Sequence, residues 1–293
     1  MKLKFLFLIL FVSVVLLGCH SPNDHSSLSQ CKKHFKAQSY KVALEKCRIG
    51  AESGNLDSQW LLANLYIKGL AGEKQPEKAY EWLEEAASNG HTGAQRELGK
   101  AYLFGKHIAR DGDSAVKWLK LAVREQDVEA QFLMGIYYLG DKQRNNDQAS
   151  AINWFKKAAA ANHKLAINNL AWIYSTSPNP SLRNGMQAVK IMQPLIKRSP
   201  DSAVLLDTLA AAFAESGDFK KAIDYQKQAI DNLKSEVKGA VRQGYLDRLK
   251  NYESNKPWRE TVPEWSENED YDKEKGEDVK NDENEQHEPV MDA

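Results

Sequence analysis

The sequence predicts an all-α protein, a solenoid of about six helix–turn–helix repeats closed by a C-terminal capping helix. Three observations predict it. Alanines recur at Ala43, Ala79, Ala115 and Ala151, and tyrosines at Tyr66, Tyr102, Tyr138 and Tyr174, each 36 residues apart. Trp82, Trp118 and Trp154 keep the same period, as do Gln59, Gln95 and Gln131. A repeat of roughly 33–38 residues marks stacked helical units. Within each period the apolar residues fall at helical spacing, as Leu61, Leu62, Leu65 and Tyr66 do. Finally, 17 Gly and 9 Pro in 293 residues are too few turn residues for an all-β chain.

The elements follow in order. Met1–Lys4 carries two lysines, and Phe5–Leu17 is an apolar run broken only by Ser13. As a helix that run spans about 20 Å, short of the roughly 30 Å hydrocarbon core. It therefore reads as a signal segment, residues 1–18, rather than a spanning helix. The run ends Leu16-Leu17-Gly18-Cys19, which resembles a bacterial lipobox. That resemblance implies a lipidated Cys19 at the mature N-terminus. It also implies outer-membrane placement, because His20 stands where Asp favours inner-membrane retention. Residues 19–27 are polar and read as a lipidated tether.

The formal net charge is zero, with 40 Lys plus Arg against 40 Asp plus Glu. Residues 264–293 hold thirteen acids and three lysines, a net of −10. The body is correspondingly basic. Export places the three cysteines in an oxidising compartment. With Cys19 used by lipid, Cys31 and Cys47 remain. A helix–turn–helix over residues 28–54 sets them on facing helices, where they form a disulfide or two buried thiols. A metal site using His34 with these cysteines lacks a fourth ligand.

Each central unit divides into helix A and helix B. In the first, helix A covers about 58–68, a loop Gly69-Leu70-Ala71-Gly72-Glu73-Lys74-Gln75 follows, and helix B begins near Pro76. Proline in the first turn loses no hydrogen bond, because that N–H has no intrahelical partner. Asp113 and Asp147 are the expected N-caps of the next two B helices. Alanine at 79, 115 and 151 lets helices approach, and the tryptophan three residues later is read as core. Neither helix hides its apolar stripe alone, so units must stack.

These residues resemble Sel-one-like repeats, a branch of the tetratricopeptide superfamily, over residues 55–162. The resemblance rests on Ala94-Gln95, Leu98-Gly99, Tyr102, Gly105, Asp111, Ala115, Trp118 and Ala122, and on their counterparts one period later. The second loop glycine of that pattern is replaced by Ala71, His107 and Gln143, which implies looser turns. Residues 28–54 and 163–233 resemble plain tetratricopeptide repeats, one and two respectively. Leu209-Ala210, Gly217-Asp218, Ala222 and Ala229 carry the last of these. The resemblance implies a right-handed superhelix with an inner groove that binds protein or peptide. Transferred through the tyrosine phase, it gives a first groove row of Trp60, Arg96, Phe132 and Asn168. The second row is Asn64, Lys100, Ile136 and Trp172. The alternative reading packs the three aromatics between units.

Residues 234–256 read as the capping helix that an open solenoid end needs. Residues 257–293 read as a disordered acidic tail, since they have little to bury. No GxSxG, GxxxxGK[ST] or HExxH occurs, and the seven histidines are scattered. His91 and His163 share one repeat phase, which favours a structural preference over catalysis. The expectation is therefore a non-enzyme with no cofactor, metal, nucleic acid or small-molecule substrate. Its partners would be an envelope protein or peptide and, through lipid, a membrane. Assembly of a secretion, pilus or export complex fits this build. Regulation of a cell-wall enzyme and outward display toward a host or the environment are the alternatives.

Overall fold

The structure is a computed structural model and describes residues 23–105, 107–140, 147–233, 237 and 239–260. Cys19, the leader and the acidic segment 264–293 lie outside these residues. The described residues form thirteen α-helices and no strand. They divide between two compact units, 1–94 and 95–293.

The first unit contains α1 (Asn23–Lys36), α2 (Tyr40–Glu52), α3 (Leu56–Lys68) and α4 (Pro76–Ser88). Residues 23–27, expected as part of the tether, belong to α1. Leu28, Cys31 and Phe35 recur at helical spacing, and that stripe draws the polar segment into a helix. Cys31 and Cys47 are fully buried and joined as a disulfide, with Cα atoms 4.7 Å apart. Around them pack Ala43, Ala51, Leu61, Leu62 and Leu65. The bridge joins residues 16 apart in sequence, which stabilises by about 3 kcal/mol in the chain-entropy account. Gly69 ends α3 with φ 64°, in the left-handed region glycine favours.

The second unit begins within α5 (Thr92–Phe104). It continues with α6 (Gly112–Arg124), α7 (Val128–Leu139), α8 (Gln148–Ala160) and α9 (Lys164–Thr176). A 3-10 turn at Pro180–Leu182 leads to α10 (Gly185–Arg198), α11 (Ala203–Glu215), α12 (Phe219–Asp231) and α13 (Gly239–Glu253). The repeating alanines Ala115, Ala151, Ala188 and Ala222 are fully buried. Small residues on helix A meet large ones on helix B. A Cβ at Gly135 would lie 2.4 Å from the Phe155 ring, and one at Gly99 would lie 2.6 Å from Leu119. These contacts set how closely the helices of each hairpin pack.

The loops close by one repeated bond. The backbone N–H of Gln75, Asp111 and Asp147 donates to the carbonyl of Tyr66, Tyr102 and Tyr138 respectively. Asn184 does the same to Tyr174. Helix α6 is capped by Asp111 rather than the expected Asp113, which lies inside the first turn. Asp147 caps α8 by accepting from the Ser150 N–H. His107 takes φ 63°, so the turn keeps a left-handed residue where the repeat pattern has glycine. Trp82, Trp118 and Trp154 are half-buried rather than core. Lys157 stands 4.0 Å over the Trp154 ring, and Lys117 5.3 Å over Trp118.

Candidate functional site

The A helices start at positions 36 residues apart, and each start carries a side-chain cap. Asn55, Asp127 and His163 accept from the backbone N–H of Ser58, Ala130 and Ala166. His91 Nδ1 accepts from Ala94 in the same way. A neutral imidazole has one acceptor nitrogen, so capping through Nδ1 places any ring proton on Nε2. In both histidine caps Nε2 faces a carboxylate of the preceding helix A. His163 Nε2 is 2.8 Å from Glu129, and His91 Nε2 is 3.4 Å from Asp57.

Three members of the expected first groove row, Trp60, Arg96 and Phe132, are spent on these caps. In the first unit, Trp60 stacks on His91 with ring centroids 5.4 Å apart. In the second, Phe132 stacks on His163 at 4.6 Å and touches Phe155, leaving it only 8% exposed. Phe132 is therefore withdrawn from any open groove. Arg96 pairs with Asp127 at 2.8 Å and with Glu97 at 3.3 Å. The three joints follow one scheme in three sequence columns. Asp57, Trp60 and His91 make the first; Glu129, Phe132 and His163 make the third. Between them, Gly93 stands in the acid column, Arg96 in the aromatic column and Asp127 in the cap column. Where the cap is itself an acid, the column opposite supplies the cation.

The charges respond to this arrangement. Hydrogen bonding from His91, together with Lys32 at 2.8 Å, holds the Asp57 carboxyl well below the usual carboxylate range. Burial pushes Glu129 upward, but His163, Lys100 and Arg96 more than offset it, and its pKa is lowered. Burial opposes the charge on Arg96, yet Glu97 and Asp127 raise its pKa overall.

Besides Trp60 and Arg96, the expected site residues Asn64, Lys100, Asn168 and Trp172 are at partial exposure. Asn64 donates back to the Trp60 carbonyl of its own helix. Asn168 Oδ1 and Trp60 Nε1 are buried polar atoms with no hydrogen-bond partner. Trp172 is covered by the Arg248 guanidinium, 5.4 Å from its ring. The structure thus brings Trp172 against α13, a neighbour the repeat pattern does not supply.

Around Arg248 lies a cluster absent from the expected site. Its Nε donates to Asp207 at 2.7 Å, and Gln226 donates to the same oxygen at 2.8 Å. Tyr245 and the fully buried Tyr252 flank it on α13. Burial raises the Tyr252 phenol well above its ordinary pKa. The signal available in sequence was Tyr245, Arg248 and Tyr252, spaced three and four residues apart on one helix face. The chain then passes the end of α9. Residues 257–260, expected as part of the disordered tail, are half-buried here. The Glu260 N–H donates to the Thr176 carbonyl at 2.9 Å. Trp258 packs on the cluster of Ala210, Ala211, Ala214 and Tyr252.

The pattern in the central residues is similar to a known repeat. The Sel1 repeat model matches residues 56–91, 92–127 and 128–163. The three matches run consecutively over residues 56–163. In fold the chain is similar to a Sel1 repeat protein from Oxalobacter formigenes, with 23% identity and a TM-score of 0.56. That match covers 71% of this chain and 86% of that one. It is also similar to c5321, a protective antigen of uropathogenic Escherichia coli strains displaying an SLR fold, with 20% identity and a TM-score of 0.60. That match covers 82% of this chain and 51% of the other, so the chain spans about half the length of the E. coli protein. No curated protein matches the sequence. Sel1 and tetratricopeptide-like repeats generally mediate protein–protein interaction, and Sel1 repeat proteins are typically scaffolds. Among the described residues no group of three or more His, Cys, Asp or Glu is placed to hold a metal ion. No described helix is long and apolar enough to cross a membrane.

Proposed function

We propose that this chain is a membrane-anchored scaffold of the bacterial cell envelope that binds a partner protein or peptide through its repeats. The observation that carries the reading is the run of three Sel1 repeats, an interaction module. The lipobox-like segment ending at Cys19 supports the anchor. Only residues 20–22 separate Cys19 from α1, a reach of about 14 Å at most. A lipid on Cys19 would hold the first unit close to the bilayer, and several acyl chains on one residue would make that attachment stable. The binding surface is assigned, within the second unit, to the residues that the joints leave half-exposed, Lys100, Asn168 and Trp172.

Two experiments test this. Cys19→Ala should move the protein from the membrane fraction to the soluble fraction. Retention after a salt wash would remove the lipid anchor from the account. A photo-crosslinker at Lys100 in cells should capture one abundant envelope protein, identified by mass spectrometry. Capture of none at Lys100 and Trp172 would remove the scaffold assignment from the second unit.

A further inference from the structure

The segment after α13 is held as a bound peptide is held. Residues 257–260 belong to no helix or strand. One main-chain hydrogen bond, from Glu260 to Thr176, fixes its path. Two side chains then enter two different seats. Trp258 lies on an alanine-lined surface of α11 and α12, with Ala210, Ala211, Ala214 and Ala222 supplying the room and Tyr252 the floor. Arg248 stands 5.9 Å over the Trp258 ring and 5.4 Å over Trp172, so one guanidinium is shared by two indoles.

Arg259 enters the second seat. Its Nη2 is 2.7 Å from Glu215 Oε2, and its Nη1 is 3.4 Å from the Ser175 carbonyl. Glu215 closes α11 and Ser175 lies in the last turn of α9. Two helix C-termini therefore converge on one guanidinium, and both carry partial negative charge there. The Glu215 side chain is only 14% exposed. Its other oxygen is held at 3.0 Å by Arg183, which also donates to the Ser177 carbonyl. The carboxylate is thus oriented from beneath whether or not Arg259 is present. Main-chain bonding for affinity, with side-chain seats for selectivity, is the general mode by which extended peptides are recognised.

We propose that this face of α9 and α11 is a recognition site for an extended peptide presenting an aromatic residue followed directly by a basic one, and that residues 257–260 fill it in cis. The inference rests on reading the second unit as a protein-binding surface and names the partner chemistry for it. Only residues 254–256 link the segment to α13, so its effective concentration at the site is high. A partner gains access when the segment lifts. Its half-exposed side chains and single main-chain bond make that opening local rather than global.

The test uses the full chain and a dye-labelled peptide of residues 254–263. The double variant Trp258→Ala/Arg259→Ala empties both seats. Fluorescence anisotropy should show the peptide binding this variant at least about tenfold more tightly than wild type, the factor by which a mostly closed site lowers apparent affinity. A peptide carrying Arg259→Glu should lose that binding. Equal, negligible binding to both proteins at unchanged helicity would overturn the proposal and leave the segment as a structural cap. If the variant loses helicity, hydrogen exchange on wild type decides. The Glu260 amide should exchange faster than the amides of α11, and equal protection would overturn the proposal. Continued capture of a partner at Lys100 alongside a failed peptide test would sink this inference alone and leave the scaffold reading standing.

Discussion

The joint closed by Asp127 and the joint closed by His163 do the same work with opposite chemistry. Both cap the start of a helix A and both tie that start to the helix A before it. At Asp127 the tie is an ion pair with Arg96. At His163 it is a ring stack on Phe132 reinforced by Glu129. One therefore depends on charge in a partly buried setting, the other mainly on apolar burial. A repeat position tolerates either, provided that the facing column changes with it. The lesson is that a varied position in a periodic protein is not automatically a working surface. Arg96 departs from the aromatic Trp60 and Phe132 because it faces Asp127 where they face His91 and His163.

Mutations can break this comparison. The largest effect should follow Phe132→Ala, since a buried ring removed from a core costs about 3–5 kcal/mol. Urea denaturation should show the loss as a lowered midpoint, and a loss below about 1 kcal/mol would return Phe132 to the groove. Arg96→Ala should cost less, about 1.5–3 kcal/mol, the range for a hydrogen bond to a charged group. It leaves the mostly buried Asp127 without its guanidinium, although the helix cap to Ala130 persists.

Acid sharpens the contrast further. Glu129 has a folded pKa below its unfolded value, so its contribution is fully present above the unfolded pKa of about 4.3. It is lost as pH falls through the lower, folded value. Melting temperature should therefore fall on acidification below about pH 4, and Glu129→Gln should reduce that fall. An identical acid profile for variant and wild type would disconnect Glu129 from the joint. The smallest effect belongs to His107→Gly. Relief of a left-handed residue should raise stability by up to about 1 kcal/mol, partly cancelled by the freer unfolded chain.

Much of the molecule was legible in its sequence. The helices, their hairpin pairing and the buried alanines follow from the 36-residue period, because each turn of the pattern places the same residue in the same surroundings. His91 and His163 were legible as a structural phase, but their role as caps was not, since histidine is an uncommon cap. The groove row failed at Phe132 for a related reason. Phase alone places a residue on a helix face without saying whether the next repeat covers it. Asp207, Gln226 and Arg248 were invisible for another reason. Asp207 and Gln226 meet across the α11–α12 hairpin, and Arg248 joins them only because α13, outside the repeats, folds back onto it. The ordered run at 257–260 was hidden by the acidic composition that follows it.

The most direct test of the paired-column account is a double-mutant cycle that rebuilds one joint as the other. Arg96→Phe and Asp127→His each separate a matched pair, and together they recreate an aromatic facing a histidine cap. Denaturant unfolding of wild type, both single variants and the double variant measures the coupling. The account predicts that each single change destabilises and that the double variant recovers part of the loss, with a coupling of about 1 kcal/mol or more. Additive losses within about 0.3 kcal/mol would contradict it, and would mean that the two columns vary independently.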